Sequence, residues 1–308
     1  MTAFMRLVAT ATFWLAATCQ AIADESASGL YVPGSFGFDA GVTPNPGLYG
    51  STGVFAYDGR IHLYIDGGTT ALDVHKQAPL VTFATLYVPD AEVLGGHVGF
   101  TAGSSYNFTE LDARLVGLTN AAASVEGWGF GDTIVRGQIG WTRKIWSNTF
   151  YVTEWIPTGR YETGFAPNTG KNHYGTNLAW GTTYVDQATK LEFDSALSVT
   201  FNAPNPATNY QNGDELHWDW ALGMLFGKGL NYKLGVAGFV YRQLTGDSGS
   251  GAVLGPFEGR VYGIGPHLVA TFPNDGHPVI LSLRCYQEFD AVDRFQGHSI
   301  TFATTFKF

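Results

Sequence analysis

Residues 299–308 alternate by parity. Ile300, Phe302, Phe306 and Phe308 fall on one side, and Ser299, Thr301, Ala303, Thr305 and Lys307 on the other. A period of two marks a strand whose faces meet different surroundings. The pattern recurs upstream. In 214–226, Leu216, Trp218, Trp220, Leu222, Met224 and Phe226 alternate with Glu215, His217, Asp219, Ala221 and Gly223. In 191–202, Leu191, Phe193, Leu197, Val199 and Phe201 alternate with Glu192, Asp194, Ser198, Thr200 and Asn202. In 278–289, Val279, Leu281 and Leu283 oppose Ser282, Arg284 and Glu288; in 130–142, Val135, Ile139 and Trp141 oppose Arg136 and Gln138. Segments 79–88 and 232–245 read as strands without a legible phase.

The rhythm between strands separates two explanations of this pattern. A half-buried strand of a soluble sandwich also alternates. Strands are expected at 48–57, 79–88, 94–105, 130–142, 150–157, 174–185, 191–202, 214–226, 232–245, 260–272, 278–289 and 299–308. Short connections (89–93, 143–149, 186–190, 227–231, 273–277) alternate with long ones (58–78, 106–129, 158–173, 203–213, 246–259, 290–298). An even strand number with short periplasmic turns and long external loops is what a bacterial outer-membrane barrel requires. The fold expected is therefore all-β: one antiparallel transmembrane barrel of about twelve strands over 47–308.

Composition agrees. Charged residues are 14% of the chain and aromatic ones 15%, with 40 glycines, yet no apolar run is long enough for a spanning helix. Residues 1–23 read as a signal peptide: Arg6, then the apolar stretch from Leu7 to Thr18, then Ala21-Ile22-Ala23 before Asp24. Its removal takes Cys19 away and leaves Cys285 alone, so no intrachain disulfide can form. Residues 24–46 are irregular. Tyr31, Val32, Phe36 and Phe38 are too apolar for a free tail, and the segment is expected to fold into the periplasmic mouth as a plug. A net charge of −9, or −10 without Arg6, argues against nucleic acid as a partner.

Candidate chemistry follows from the inward parity. Asp132, Arg136, Gln138, Glu192, Asp194, Glu215, His217, Asp219, Arg284, Glu288 and Lys307 are expected to face the lumen. Opposed charges there knit a narrow interior together, form a polar pore wall that sets what passes, or do both. Trp218, Trp220 and Leu222 should meet lipid, and Ala221 should tolerate an arginine better than Leu222 does. In the external loops, Tyr161, Tyr210 and Phe257 either line the mouth or pack the loops. No metal or cofactor is expected, because His97, His173, His217, His267, His277 and His298 fall at no ligand spacing. Gly246-Asp247-Ser248 is no nucleophile elbow, since no helix follows it.

Several short words add a resemblance. They are Tyr31-Val32-Pro33-Gly34, Gly131-Asp132, Pro157-Thr158-Gly159-Arg160-Tyr161 and the run from Thr208 to Glu215. The run from Tyr241 to Ser248, Ile264-Gly265-Pro266, Glu288-Phe289 and Arg294-Phe295-Gln296-Gly297 complete the set. In this order and spacing the chain resembles the outer-membrane family named for the meta-pathway of phenol degradation. The resemblance implies a monomeric barrel that moves small solutes, aromatic or apolar compounds such as phenols. The alternatives are a non-transporting barrel that binds or scaffolds, and an outer-membrane hydrolase, which would need Ser and His together on the outer wall. The expected partners are outer-membrane lipid, a small solute, and the barrel assembly machinery, engaged through the strand ending at Phe308.

Overall fold

The structure is a computed structural model describing residues 28–65, 70–116, 121–253 and 255–308. The expected signal peptide lies outside the described residues, as do positions 24–27 of the leader. The strands are β1 (Gly47–Ile65), β2 (Thr70–Gln77), β3 (Leu80–Val88), β4 (Glu92–Val93), β5 (Gly96–Val116), β6 (Ala122–Phe130), β7 (Thr133–Arg143) and β8 (Trp146–Ile156). They continue as β9 (Gly175–Asp186), β10 (Leu191–Asn202), β11 (Glu215–Phe226), β12 (Tyr232–Gln243), β13 (Arg260–Phe272), β14 (Val279–Val292) and β15 (Gln296–Lys307). Each pairs antiparallel with its neighbours, and β1 closes on β15 from Tyr49↔Lys307 to Arg60↔Gln296.

The result is a closed barrel of twelve staves. β2 and β3 form one stave, and β6 and β7 another; each pair lies beside the single long strand β5. The first break falls at Pro79, which has no N–H to give the ladder, though its carbonyl still accepts from Phe108 N. The second falls at Gly131-Asp132, where the Asp132 side chain turns to other work.

Two expected loops are strands instead. Segments 58–78 and 106–129 continue the wall as the ends of β1 and β5 and the return strands β2 and β6. Their polarity is inverted relative to the barrel. Ile61, Leu72, Val74, Leu111 and Ala113 face inward and pack with Phe295 into a small core. Asp58, Gln77, Glu110, Glu126 and His298 occupy successive positions of one cross-strand row on the other face. Above the membrane the outside of the wall is water, so the alternation changes sign. A reading that looked for apolar side chains outside could not see these strands.

Lower down, the outward positions are apolar. Phe100, Val152, Leu197, Leu234, Ile264 and Phe302 are all exposed there. Trp218 and Leu222 are 41% and 46% exposed, whereas Glu215, His217 and Asp219 on the same strand are at most 1% exposed. So broad an apolar skin is suited to hydrocarbon rather than water. The phase of β12 was illegible for a concrete reason. Leu234 and Val236 face out, but Ala237, Phe239 and Tyr241 face in and are also apolar, because part of the leader covers them.

Candidate functional site

The leader lies inside the barrel. Ser28 Oγ accepts from Lys171 Nζ (2.9 Å) in the long β8–β9 connection, and Thr43 Oγ1 accepts from Gln138 Nε2 (3.0 Å) close to the short β7–β8 turn. The contacts of this segment therefore run from the external end of the lumen to the periplasmic end. An irregular segment has backbone donors that no ladder satisfies. The inward carboxylates satisfy them. Asp219 accepts from Tyr31 Oη (2.6 Å), Gly34 N (3.1 Å) and Phe36 N (2.9 Å). Asp194 Oδ1 accepts from Ala40 N (3.1 Å) and from Thr183 Oγ1 (2.5 Å), whose oxygen in turn accepts from Gly41 N (2.8 Å). Glu192 Oε1 accepts from Asp39 N (3.3 Å) and from Lys233 Nζ (2.9 Å), and Lys233 also reaches Asp39 Oδ1 (2.6 Å).

Carbonyls of the leader are met as well. Arg284 Nη1 donates to Gly34 O (2.8 Å) and Ser35 O (2.7 Å), and Tyr151 Oη donates to Ala40 O (2.9 Å). Tyr31 stacks on His217 with centroids 3.9 Å apart, and Phe38 stacks on His267 at 4.6 Å. The wall makes room with glycine. A methyl at Gly181 would strike the Ala40 carbonyl, and one at Gly223 would strike the Phe38 ring.

The remaining sequence candidates divide. Glu215 and His217 form a buried pair (3.1 Å) beside Gly29. Glu288 accepts from Tyr57 Oη (2.8 Å) and Gly297 N (2.8 Å) and joins β14 to the closing strands. Lys307 sits near the Tyr49 ring (5.7 Å). Asp132 accepts from Gly159 N (2.9 Å) and Lys171 N (2.8 Å) and so anchors the β8–β9 connection. Tyr210 is buried and donates to Asp247 Oδ2 (2.5 Å), and Tyr161 Oη accepts from Asn205 Nδ2 (3.0 Å). The Phe257 carbonyl accepts from Asp247 N (3.2 Å). None of the three loop aromatics lines the lumen cavity; their contacts are loop packing.

That cavity, about 420 Å³, lies between the leader and the opposite half of the wall. Tyr31, Phe55, Leu80, Thr82, Ser105 and Trp155 line it, together with Arg136. Arg136 Nε donates to Thr153 Oγ1 (2.7 Å), and its guanidinium lies over the rings of Phe36 (5.5 Å) and Tyr151 (5.4 Å). Among the described residues it forms no ion pair. The two halves of the lumen thus differ. The β9–β12 side carries Glu192, Asp194, Glu215 and Asp219 and is occupied by the leader; the β1–β7 side is open, and Arg136, Lys76 and Arg294 line it together with Asp132 and Glu288.

Sequence reasoning placed Tyr31 in the plug but missed Lys233 and His267 as members of this site. The signal was present: glycines on the inward parity of β9 and β11, and an apolar inward face on β12, both imply an object inside. One contact bears on the hydrolase alternative. His267 Nε2 lies 3.0 Å from Ser282 Oγ, but inside the wall and beneath Phe38. Its Nδ1 is the acceptor for Phe38 N (3.5 Å), so Nε2 carries the proton and donates to the serine. A base for that serine needs the reverse tautomer.

A family model described as "Putative MetA-pathway of phenol degradation" matches residues 64–304. The chain belongs to this family. The family words quoted above meet in space. Arg160, Tyr161, Tyr210 and Asp247 knit the external loops, and the Arg294 guanidinium lies 3.7 Å from the Tyr241 ring centroid. Among solved structures, the COG4313 outer membrane channel from Pseudomonas putida F1 matches with a TM-score of 0.64 at 11% identity, covering 88% of this chain and 98% of that one. The CymD monoaromatic hydrocarbon channel matches at 0.41 and 11% identity, covering 86% and 89%. The translocator domain of the autotransporter NalP from Neisseria meningitidis matches at 0.42 and 12%, covering 88% and 91%. A comparison with curated proteins gives no significant match. The fold is that of an outer-membrane barrel: a closed β-barrel similar to outer-membrane channels of Gram-negative bacteria.

Proposed function

We propose that the protein is a diffusion channel for small aromatic solutes, above all those with one anionic end. The solute passes along the open half of the lumen while the leader stays clamped to the other half as a plug. One observation carries this reading: Arg136 faces a cavity lined by Tyr31, Phe55 and Trp155 and has no ion-pair partner among the described residues. A guanidinium in that position offers a fork to a carboxylate or phenolate, and the surrounding rings offer faces to an aromatic body. The family's link to phenol degradation is consistent with such solutes.

The acids lose the role of pore wall in this reading. Glu192, Asp194 and Asp219 each accept from backbone N–H groups of the leader, so they set its position and not the solute's path. Arg284 is likewise a clamp. Liposome swelling with benzoate, phenol and a neutral sugar of similar size tests the proposal. Entry in the order benzoate, phenol, sugar supports it. Absence of swelling with every solute favours the second reading, a non-transporting barrel, which the tightly bonded leader also suits.

A further inference from the structure

Arg242 and Arg260 stand directly opposite each other on β12 and β13, at the last pair of that ladder before the long external connection. Both side chains are exposed on the outer face. Like charges directly across a sheet repel. Arg260 has one acidic partner, Asp290, at 3.3 Å, and both members are exposed. Arg242 has none among the described residues. Asp290 therefore offsets one of the two charges and leaves the other without an ion-pair partner among the described residues.

Its place on the wall matters. The cross-strand row reads Leu216, Arg242, Arg260, Val292 across β11 to β14. The row below reads Trp218, Val240, Tyr262, Phe289, with Tyr262 and Phe289 stacked at 5.8 Å. The two arginines thus cap an apolar, aromatic band at the external edge of the hydrocarbon. On the other side of the barrel an outer-face row reads Glu126, Glu110, Gln77, Asp58 and His298 and is acidic instead.

The geometry points to a docking site for a phosphorylated glycolipid of the outer leaflet. A phosphate bridges the two guanidinium groups, and the sugar and acyl chains lie down the Trp218–Phe289 band. Guanidinium forks suit phosphate oxygens, and the bridge converts a repulsive pair into an attractive one. This site is independent of the lumen and of any transport.

Native mass spectrometry of the purified barrel with bisphosphorylated lipid A, in EDTA, tests it. With each arginine contributing at the membrane surface, the Arg242→Gln/Arg260→Gln variant should bind about 30-fold more weakly at low salt. The gap should narrow as salt rises. A Glu126→Gln control on the acidic side should bind like the wild type. Heat-modifiable migration checks folding; if the double variant fails it, Arg242→Gln alone carries the test. Equal binding by wild type and variant overturns the site. So does equal binding of dephosphorylated lipid A. Equal binding of phosphatidylglycerol overturns the assignment to a glycolipid.

Discussion

Asp219 is the strongest test of the clamped leader. Its carboxylate takes hydrogen bonds from Tyr31 Oη, Gly34 N and Phe36 N, all from one short stretch. Hydrogen bonds to a charged acceptor contribute about 1.5–3 kcal/mol each, so the gross loss in Asp219→Ala is about 5–9 kcal/mol. Part returns, because the alanine no longer keeps a charge out of water, a cost of several kcal/mol. A net loss of about 2–4 kcal/mol in leader docking lowers the docked-to-free ratio by about 30- to 1,000-fold. The barrel itself should survive, since its ladder is formed between strands. The expected outcome in a planar bilayer is a larger or noisier conductance, with new protease cuts between residues 30 and 40. Asp219→Asn keeps an acceptor of the same shape and should fall between the two. If Asp219→Ala keeps the wild-type conductance and the leader stays uncut, the clamp is refuted.

Further expectations follow from the same geometry. Arg136→Gln should lower the entry rate of benzoate relative to phenol in liposome swelling, whereas Arg284→Gln should loosen the leader without removing that preference; the opposite pattern would exchange their roles. Leu222→Arg, on the lipid face, should cost about 2–4 kcal/mol in folding titrations, and Thr82→Arg, on the open lumen side, much less. Ala221→Arg, expected from alternation alone to be mild, should instead be severe, because Ala221 is fully buried in a cluster with Phe38 and Phe239. Deleting Phe308 removes the bond from its N–H to Leu48 O (2.9 Å) and its edge contact with Phe306 (5.0 Å) at the closing seam; export should continue while the heat-modifiable folded form becomes scarce.

Much of the architecture was legible in the chain because a membrane barrel obeys a local rule. Each side chain meets lipid or lumen according to its parity, so Trp218 and Leu222 against His217 and Asp219 could be sorted with no knowledge of neighbours. The strand number followed from counting the alternating segments, and closure from their even number with short and long connections in turn, although two of the long connections are themselves strands. The rule failed where the surroundings changed. Beyond the hydrocarbon, water lies outside the wall and a dry core inside, so Ile61, Leu72 and Leu111 inverted the pattern and their strands were read as loops.

The chemistry of the lumen was only half determined by sequence. Parity alone placed Glu192, Asp194, Asp219 and Arg284 inside and left two roles open for them, mutual ion pairing or a pore wall. Tertiary structure added a partner that parity could not supply: each of the four bonds backbone groups of a segment more than 140 positions earlier in the chain, and Glu192 pairs with Lys233 as well. An irregular segment has no period from which its path can be read, and its amides become acceptor-seeking only once they are taken out of water. Which half of the lumen it covers, and hence that Arg136 is left facing the open half, depends on how twelve staves close around it. That is a property of the closed barrel, which no single strand carries.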